Sequence, residues 1–316
     1  MNVYLVVPCY NEEEVLFETT KRLTEKLNSM IEKELVDNTS RILYVDDGSK
    51  DKTWEIIEKL NDENPYVEGL KLAHNRGHQN ALLAGLMTAK EKCDCAISLD
   101  ADLQDDTDVI DKFIEEFIKG NDVVYGVRNK RETDTFFKKT TAVGFYKFMK
   151  ILGVDVVYNH ADYRLMSKRA LEALAEYKEV NLFLRGIVPL IGFKSSKVYY
   201  ERHERFAGES KYPLRKMIAF ATDGITSFSV KPLKLISNLG IIISFLSIIA
   251  LIYALVSFCV GVAVPGWTAI IASIWLLGGI QLFCLGVVGT YIGKIYNEVK
   301  SRPRFLVETY LKKEEK

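Results

Sequence analysis

Charged side chains are missing from residues 235–293, whereas 42 Lys or Arg and 42 Asp or Glu are spread over the rest of the 316-residue chain. A Val264-Pro265-Gly266-Trp267 turn divides this stretch into two apolar segments, at about 236–260 and 268–292. Each segment is longer than the ~20 residues that an α-helix needs to cross a bilayer core. The sequence therefore predicts a hairpin of two transmembrane helices.

The chain has no net charge, but its charges are unevenly distributed. Residues 231–316 contain nine Lys or Arg and four Asp or Glu, which leaves the segment 1–230 mildly acidic. A nucleic-acid-binding protein needs a basic surface, so no nucleic-acid partner is expected. Basic residues flank the outer ends of the hairpin, and the N-terminus does not resemble a signal peptide. The positive-inside rule therefore places both termini and the whole segment before the hairpin in the cytoplasm.

Several common site motifs are also absent. The five cysteines include no Cys-x-x-Cys pair, and neither Cys93-x-Cys95 nor the pair His74 and His78 has the further ligands of a zinc site. Buried thiols of a reduced compartment are expected instead. No GxxxxGK[ST] loop and no GxGxxG segment occurs, which excludes the two commonest nucleotide-binding motifs.

Short apolar runs alternate with helical segments in the N-terminal part of the chain. Strands are predicted at 3–8, 42–46, 68–72, 95–99 and 123–127, and helices at about 12–34, 51–60, 79–91 and 108–119. This order predicts an α/β, Rossmann-like domain with a mostly parallel sheet covered on both faces. Ligands bind such sheets at the carboxyl ends of the strands.

Polar segments follow three of these strands: PCYNE at 8–12, DDGS at 46–49 and DADLQD at 100–105. Each alone is compatible with a helix cap, a turn or a loop, but their convergence on one edge predicts a ligand site. Carboxylates repel the phosphates of a nucleotide unless a divalent cation lies between them. Mg²⁺ and Mn²⁺ bind carboxylate and phosphate oxygens, so Asp100-x-Asp102 predicts a metal–diphosphate bridge.

Four segments together resemble the family 2 glycosyltransferases of the glycosyltransferase A fold. They are VPCYNEE (7–13), VDDGSKDKT (45–53), NRGHQNALLAG (75–85) and SLDADLQDD (98–106). DYRL (162–165) and RFAGESKY (205–212) resemble the branch that transfers sugars to polyprenyl phosphates. That branch includes dolichyl-phosphate mannosyltransferases and bactoprenol glucosyltransferases. The two-span tail is most similar to the bacterial members, so the resemblance covers nearly the whole chain.

The resemblance implies three groups of site residues. The nucleotide-sugar site would include Pro8, Tyr10, Glu12, Val45, Asp47, Asp100, Ala101, Asp102, Arg128, Arg205 and Lys211. Asp100, Asp102 and Gln104 would hold Mg²⁺ or Mn²⁺, and Asp102, Asp162, Arg205 and Lys211 would act in catalysis. Arg128, Arg205 and Lys211 suit phosphate oxygens, although Arg128 is also compatible with a solvated loop charge.

The resemblance also implies a reaction. A sugar would pass, with inversion, from UDP-glucose or UDP-N-acetylglucosamine, or else from GDP-mannose, to undecaprenyl phosphate on the cytoplasmic leaflet of a bacterial inner membrane. A separate flippase and a downstream glycosyltransferase would use the product. A phosphate with a second pKa of ~6 hardly needs a general base. Asp162 lies where related enzymes have a carboxylate proposed for catalysis. It is a candidate base, an organiser of the acceptor site or structural support for Arg164.

The expected organisation has four parts. Residues 1–211 form the glycosyltransferase A domain, and 212–232 form an amphipathic helix at the membrane interface or, alternatively, a core helix. Residues 233–293 contain the hairpin, and 294–316 form a basic cytoplasmic tail. Gly289-x-x-x-Gly293 is compatible with close helix packing in a homo-oligomer.

Two other functions are compatible with parts of the sequence. A processive polysaccharide synthase shares the catalytic fold. Such synthases also resemble one another in a QxxRW segment and in several additional membrane spans. None of Gln79, Gln104 and Gln281 begins that segment. A noncatalytic membrane scaffold that binds nucleotide sugar would tolerate loss of the metal ligands and acceptor cations, yet Asp100 and Asp102 are both present.

Overall fold

The protein is described from a computed structural model. The structure describes residues 1–128, 160–180, 183–201, 226, 229–260 and 266–313. The chain divides into two compact units, one formed by most of residues 1–212 together with Arg302–Lys316 and one containing Pro213–Ser301. Arg205, Lys211 and most of the predicted interfacial segment 212–232 lie outside the described residues.

The first unit is an α/β domain, as predicted. Its strands are β1 Val3–Cys9, β2 Arg41–Asp46, β3 Val67–Leu72, β4 Cys95–Ser98, β5 Val123–Arg128, β6 His160–Ser167, β7 Ser195–Tyr200 and β8 Val307–Leu311. Its helices are α1 Leu16–Glu32, α2 Thr53–Glu63, α3 His78–Lys90, α4 Ile110–Ile118, α5 Lys168–Ala175 and α6 Leu184–Leu190. The elements predicted within residues 1–128 are all present with similar bounds, whereas β6, β7 and β8 were not predicted.

The eight strands form one sheet in the order β7-β5-β6-β4-β1-β2-β3-β8. Strands β4, β1, β2 and β3 lie side by side in that order and run parallel to one another. Strand β6 runs antiparallel between β4 and β5, and β8 runs antiparallel to β3. The carboxyl ends of β1, β2 and β4 therefore meet at one edge of the sheet. Every residue of β1 is buried, as expected for a strand covered on both faces.

Helix α3 lies very close to the centre of the sheet. A Cβ atom at Gly85 would come within 2.4 Å of Val6 and 2.7 Å of Val45, so only glycine fits between the helix and these strands. Because α3 follows β3 in a crossover connection, its first residue, His78, lies at the carboxyl edge of the sheet. The small residue therefore helps to place the beginning of α3 beside the predicted site.

The second unit contains the two long apolar helices α7 Lys231–Cys259 and α8 Trp267–Lys300. Large apolar side chains such as Ile241 and Phe283 are mostly exposed, at 66% and 70%. Exposure of so many apolar side chains to water is unfavourable, at roughly 25 cal/mol per Å². Residues 231–250 and 276–300 are long and apolar enough to cross a membrane, so both helices are candidate membrane spans.

The last residues differ from the basic tail that the sequence predicts from residue 294. Helix α8 continues to Lys300, and Ser301 follows it in the left-handed conformation, with φ of 46°. Strand β8 then pairs with β3 as an edge strand of the first unit. The local sequence contains little indication of β8, because this strand is short and its partner β3 lies far earlier in the chain.

Buried Glu68 anchors β8 to the sheet. The Tyr310 hydroxyl donates to its carboxylate at 2.5 Å, and the Lys313 backbone N–H donates at 3.3 Å. Lys92 lies over the Tyr310 ring at 4.3 Å and 3.7 Å from the Glu68 carboxylate. Since Glu68 is only 1% exposed, these partners replace the water that its charge would otherwise bind.

We predict that Tyr310→Phe destabilises the first unit. The substitution leaves a buried carboxylate without one hydrogen-bond donor, which costs about 1–3 kcal/mol. Thermal unfolding of the detergent-purified full chain measures the effect. Tyr199→Phe is the matched control, because Tyr199 lies in the same sheet but is 58% exposed. Equal unfolding temperatures for the two variants would contradict the anchoring role of Glu68.

Candidate active site

The loops after β1 and β2 are joined by hydrogen bonds at the carboxyl edge of the sheet. The Asn11 backbone N–H donates to Ser49 Oγ at 3.0 Å, and the Lys50 N–H donates to Asn11 Oδ1 at 2.9 Å. Asn11 has φ of 55°, a conformation that asparagine tolerates better than most residues. Two of the three predicted polar segments therefore form one connected surface.

The predicted base- and ribose-binding residues differ in exposure. Tyr10 is 40% exposed and Glu12 is partly exposed, so both side chains are accessible to a ligand. Pro8 is buried, and Val45 is fully buried against the position of Gly85. Val45 therefore supports the site through packing, and its side chain is not accessible to a nucleotide.

Asp47 organises the loop that leads into α3. Its two carboxylate oxygens accept hydrogen bonds from the backbone N–H groups of Arg76 at 2.7 Å and Gly77 at 2.8 Å. Burial raises the pKa of Asp47, while these hydrogen bonds oppose the shift. Gly48 adjoins the same loop with φ of 66°, and a Cβ atom there would lie 2.7 Å from the Asn75 nitrogen. The DDG segment thus fixes the start of α3.

The Asp-x-Asp segment forms a tight turn after β4. Leu103 has φ of 55°, and the Gln104 N–H donates to Asp102 Oδ1 at 3.2 Å. The Ala101 carbonyl accepts from Thr19 Oγ1 at 2.8 Å, which ties the turn to α1. Asp100 and Asp102 are partly exposed, whereas Ala101 and Gln104 are buried. The two carboxylates are therefore better placed than Gln104 to bind a ligand or a cation.

The surroundings of Asp100 favour binding of a cation. Burial and, to a smaller extent, the carboxylates of Asp105, Asp162 and Asp102 together raise the pKa of Asp100 to about 6, against the opposing effect of His78. Two carboxylates suit Mg²⁺ or Mn²⁺, whose remaining ligands are commonly water and substrate phosphate. Among the described residues, no three His, Cys, Asp or Glu side chains form a ready metal cluster. The donor set thus fits a cation shared with a phosphorylated ligand.

Strand β6 brings Asp162 to the same edge. Its Oδ1 accepts hydrogen bonds from Arg164 at 2.6 Å and from Arg185 Nε at 3.3 Å, and its Oδ2 accepts from Arg185 Nη2 at 3.1 Å. His78 Nε2 lies 3.6 Å from Asp100 and 3.7 Å from Asp162. The backbone carbonyl of Asp162 accepts from Ser98 on β4. Asp162 is therefore held on the side chain and on the backbone.

The two arginines determine the charge of Asp162. Burial by itself raises the pKa of this carboxyl, but Arg185 and Arg164 outweigh it and hold the pKa well below its usual range. Burial lowers the pKa of Arg185, whereas Asp162 and Asp100 raise it by more. Arg185 therefore lies within electrostatic range of the Asp-x-Asp segment, and Asp162 is ionised at neutral pH.

Arg128 is fixed at the end of β5, so it is not a solvated loop charge. Its guanidinium donates to the Tyr200 hydroxyl at 3.1 Å and to Asp105 Oδ1 at 3.3 Å. Tyr200 also donates to Asp105 at 2.5 Å. Asp105 is 5% exposed, and its second oxygen has no hydrogen-bond partner among the described residues. Arg128 is 25% exposed, so part of its side chain reaches the surface.

Four residues of this cluster have no role in the site that was predicted from the sequence: His78, Asp105, Arg185 and Tyr200. Arg185 had a weak signal, because it is a lone charge in the apolar run NLFLRGIVPLIG. His78 stands inside the NRGHQ segment, where its spacing from His74 suggests only a comparison with zinc ligands. The pairing of Asp105 with Tyr200 joins two distant parts of the chain and has no signal in the local sequence. Arg205 and Lys211, which were predicted, lie outside the described residues.

The chain is similar to several known proteins over most of its length. The family model described as glycosyl transferase family 2 matches residues 4–175. The uncharacterized glycosyltransferase YkoT of Bacillus subtilis (strain 168) is 55% identical over 98% of this chain and 92% of its own. The bactoprenol glucosyl transferase of Shigella phage SfX is 39% identical over 98% of this chain and 99% of its own.

Glucosyl-3-phosphoglycerate synthase from Mycobacterium tuberculosis, solved with Mn²⁺, UDP and phosphoglyceric acid, is a distant structural neighbour. It is 13% identical, with 71% of this chain and 76% of that chain covered and a TM-score of 0.43. The family model, by contrast, covers more than half of this chain and includes both the Asp47 loop and the Asp-x-Asp turn. The chain belongs to glycosyltransferase family 2.

Proposed function

We propose that this glycosyltransferase transfers one sugar, with inversion, from a nucleotide sugar to undecaprenyl phosphate. UDP-glucose and UDP-N-acetylglucosamine are the favoured donors. The observation that carries the proposal is the 39% identity to a protein named bactoprenol glucosyl transferase over 98% of this chain. Because that identity extends through the two apolar helices, it supports a lipid acceptor as well as the transfer of a sugar.

A divalent cation, Mg²⁺ or Mn²⁺, is part of the proposal. Asp100 and Asp102 would hold it, and Gln104 would contribute only after moving from its buried position. When bound, such a cation stabilises the negative charge of a departing diphosphate. The support is the raised pKa of Asp100, which results first from burial and then from the neighbouring carboxylates, because a nearby cation would stabilise the ionised form.

The proposed reaction is a single displacement at the anomeric carbon. An oxygen of the acceptor phosphate forms a bond to that carbon, while the bond from the carbon to the donor diphosphate breaks and the nucleoside diphosphate leaves. Arg128, held by Asp105 and Tyr200, would bind phosphate oxygens as negative charge develops. Arg205 and Lys211 remain proposed phosphate ligands.

The proposed location is the cytoplasmic face of a bacterial inner membrane, with both termini in the cytoplasm. Support comes from the connection between the apolar helices and the sheet. The chain passes through α7 and α8 and then returns to the first unit as β8. Two crossings return it to its original side, and the basic residues at the outer ends of the hairpin favour the cytoplasm. A separate flippase and a later glycosyltransferase would then use the product.

Three alternatives have less support. Transfer from GDP-mannose uses the same carboxylates and cations, and only the pocket around the base and sugar distinguishes the donors. A processive synthase would need a polymer channel, but the described residues contain two candidate spans. A noncatalytic scaffold would not need Asp100 and Asp162 at the same edge of the sheet as Arg128 and Arg185. Their common location therefore favours an enzyme.

We predict that the detergent-purified protein makes one monoglycosylated lipid from undecaprenyl phosphate and one member of a panel of UDP- and GDP-sugars. Mass spectrometry identifies the product. EDTA and Asp102→Ala should each abolish it, because they remove the cation or one of its ligands. A product that carries several sugars would favour the synthase, whereas nucleotide-sugar binding without any product would favour the scaffold.

We also predict opposite effects of Asp100→Asn on stability and on metal binding. The folded pKa of about 6 exceeds the unfolded value of ~3.9, so the metal-free protein loses stability as the pH rises from about 4 to about 6. At pH 7.5 without metal, Asp100→Asn should raise the unfolding temperature by about 2 °C, since solvent screens part of the repulsion. The same variant should lose the stabilisation that Mn²⁺ and UDP give the wild type.

Asp62→Asn is the matched control, because Asp62 is an exposed carboxylate on α2. It should change neither quantity. At pH 4 the stabilisation by Asp100→Asn should disappear, since Asp100 is then protonated in the wild type. A lower unfolding temperature for Asp100→Asn at pH 7.5 would show that its carboxylate stabilises the metal-free fold and would refute a destabilising effect of its burial and its neighbouring carboxylates.

A further inference from the structure

The hydrogen bonds of Asp162 limit its chemistry. Both carboxylate oxygens accept from arginine, at 2.6 Å from Arg164 and at 3.1 and 3.3 Å from Arg185. The side chain is only 11% exposed. A general base needs an oxygen within hydrogen-bond reach of the proton that it removes. Proton transfer to Asp162 would also weaken two ion pairs at an enclosed position, which is costly.

The two arginines that bind Asp162 differ in their surroundings. Arg164 is 1% exposed and also donates to the Leu184 carbonyl at 3.4 Å, so it belongs to the interior. Arg185 is 33% exposed and lies in the first turn of α6. Asp162 therefore connects an interior arginine to one that reaches the surface of the site.

The position of Arg185 is fixed from a second direction. The Leu184 N–H, at the beginning of α6, donates to Gln79 Oε1 at 3.0 Å. Gln79 follows His78, which lies 3.6 Å from Asp100 and 3.7 Å from Asp162. Arg185 is thus held at the same edge as the Asp-x-Asp segment by its side chain and by the start of its helix.

We propose that Asp162 is a positioning residue that orients Arg185, and that Arg185 binds phosphate oxygens of a substrate during sugar transfer. A guanidinium recognises phosphate through a planar fork of N–H groups, and a carboxylate that holds part of the fork restricts its orientation. The inference rests on the proposed function. It deepens that function by assigning an anion-binding residue to a helix that the sequence motifs do not include.

The bonding changes are consistent with this assignment. The acceptor phosphate is already an anion near pH 7, so its oxygen attacks the anomeric carbon without giving up a proton. The electron pair of the breaking bond leaves with the nucleoside diphosphate. No proton has to reach Asp162 at any stage, and its negative charge remains available to orient Arg185.

A double-variant cycle tests the inference in the full-length protein. Asp162→Asn, Arg185→Gln and the combined variant are assayed with undecaprenyl phosphate and the donor that the wild type uses. Each single variant should lower kcat/KM by roughly 10- to 100-fold, as expected for loss of a charged hydrogen bond. The combined variant should stay within about threefold of the worse single variant, because both changes disable one unit.

A general-base role for Asp162 gives a different pattern. Asp162→Asn would then lower kcat by about 10²- to 10⁴-fold, and its loss would multiply with that of Arg185→Gln. The rise of kcat/KM with pH would also change in Asp162→Asn, whereas the positioning role leaves it as in the wild type, since it follows the acceptor phosphate. Multiplying losses, or a changed pH profile, would overturn the inference.

Separate substrate measurements identify the phosphate that Arg185 binds. A rise in KM for undecaprenyl phosphate, with unchanged affinity for the nucleotide sugar and Mn²⁺, assigns Arg185 to the acceptor. Weaker binding of the nucleotide sugar assigns it to the donor diphosphate. Arg185→Lys should recover part of the loss, because it restores the charge without the fork. Unchanged kinetics in Arg185→Gln would refute any contact with phosphate.

The control is Arg169→Gln. Arg169 donates to Asp122 with both Nε and Nη2 but is 65% exposed, and Asp122 precedes β5 at the opposite edge of the sheet. Breaking this arginine–aspartate pair should leave kcat/KM unchanged. Circular dichroism and unfolding temperatures establish that Asp162→Asn folds, and Arg185→Gln tests the inference independently if it does not. A wild type without product would refute the proposed reaction, whereas an active wild type with unaffected variants would refute only this inference.

Discussion

The burial of several carboxylates close together at one edge of the sheet is the constraint on which the site depends. Parallel pairing of β1, β2 and β4 brings Asp47 and Asp100 to the same edge, and β6 adds Asp162 beside them. Each carboxylate is compensated differently. Asp47 accepts backbone N–H groups, and Asp162 is paired with two arginines. Asp100 retains a raised pKa, which identifies it as the carboxylate with the most to gain from an added cation.

The groups that compensate these carboxylates also distinguish two roles, orientation of other groups and direct binding of a cation. Asp47 and Asp162 have their oxygens engaged by the protein, so they act on a ligand through the groups that they orient. Asp100 and Asp102 are more accessible and can meet a cation directly. Arg128 and Arg185 are each held by a carboxylate while remaining partly exposed. Anchoring of this kind reduces the side-chain entropy that is lost when an arginine binds phosphate.

The part of the fold that could be predicted from sequence consists of elements whose formation is indicated by residues close together in the chain. Strands β1 to β5 are short apolar runs, and each precedes or follows a helix with a clear 3.6-residue pattern. The site at Asp100 and Asp102 could be predicted equally well, because ligands bind at the carboxyl ends of parallel strands. Strand β8 and the contacts of Arg185 depend on pairing between distant segments, which has no local periodicity. Tyr200 was missed for the same reason, since Asp105 gives it a role only after β7 has joined β5.

Strand β8 connects the end of the apolar hairpin to the organisation of the site. The Leu306 carbonyl, just before β8, accepts a hydrogen bond from the Ala73 N–H at 2.9 Å. Ala73 begins the loop whose Arg76 and Gly77 N–H groups bind Asp47, and that loop leads directly into α3 and His78. The segment that follows α8 therefore fixes one end of the loop that Asp47 fixes at the other. Because both ends are held, the start of α3 keeps its place beside Asp100 and Asp162, and the position of His78 depends on a strand that begins at Val307, after the second apolar helix has ended at Lys300.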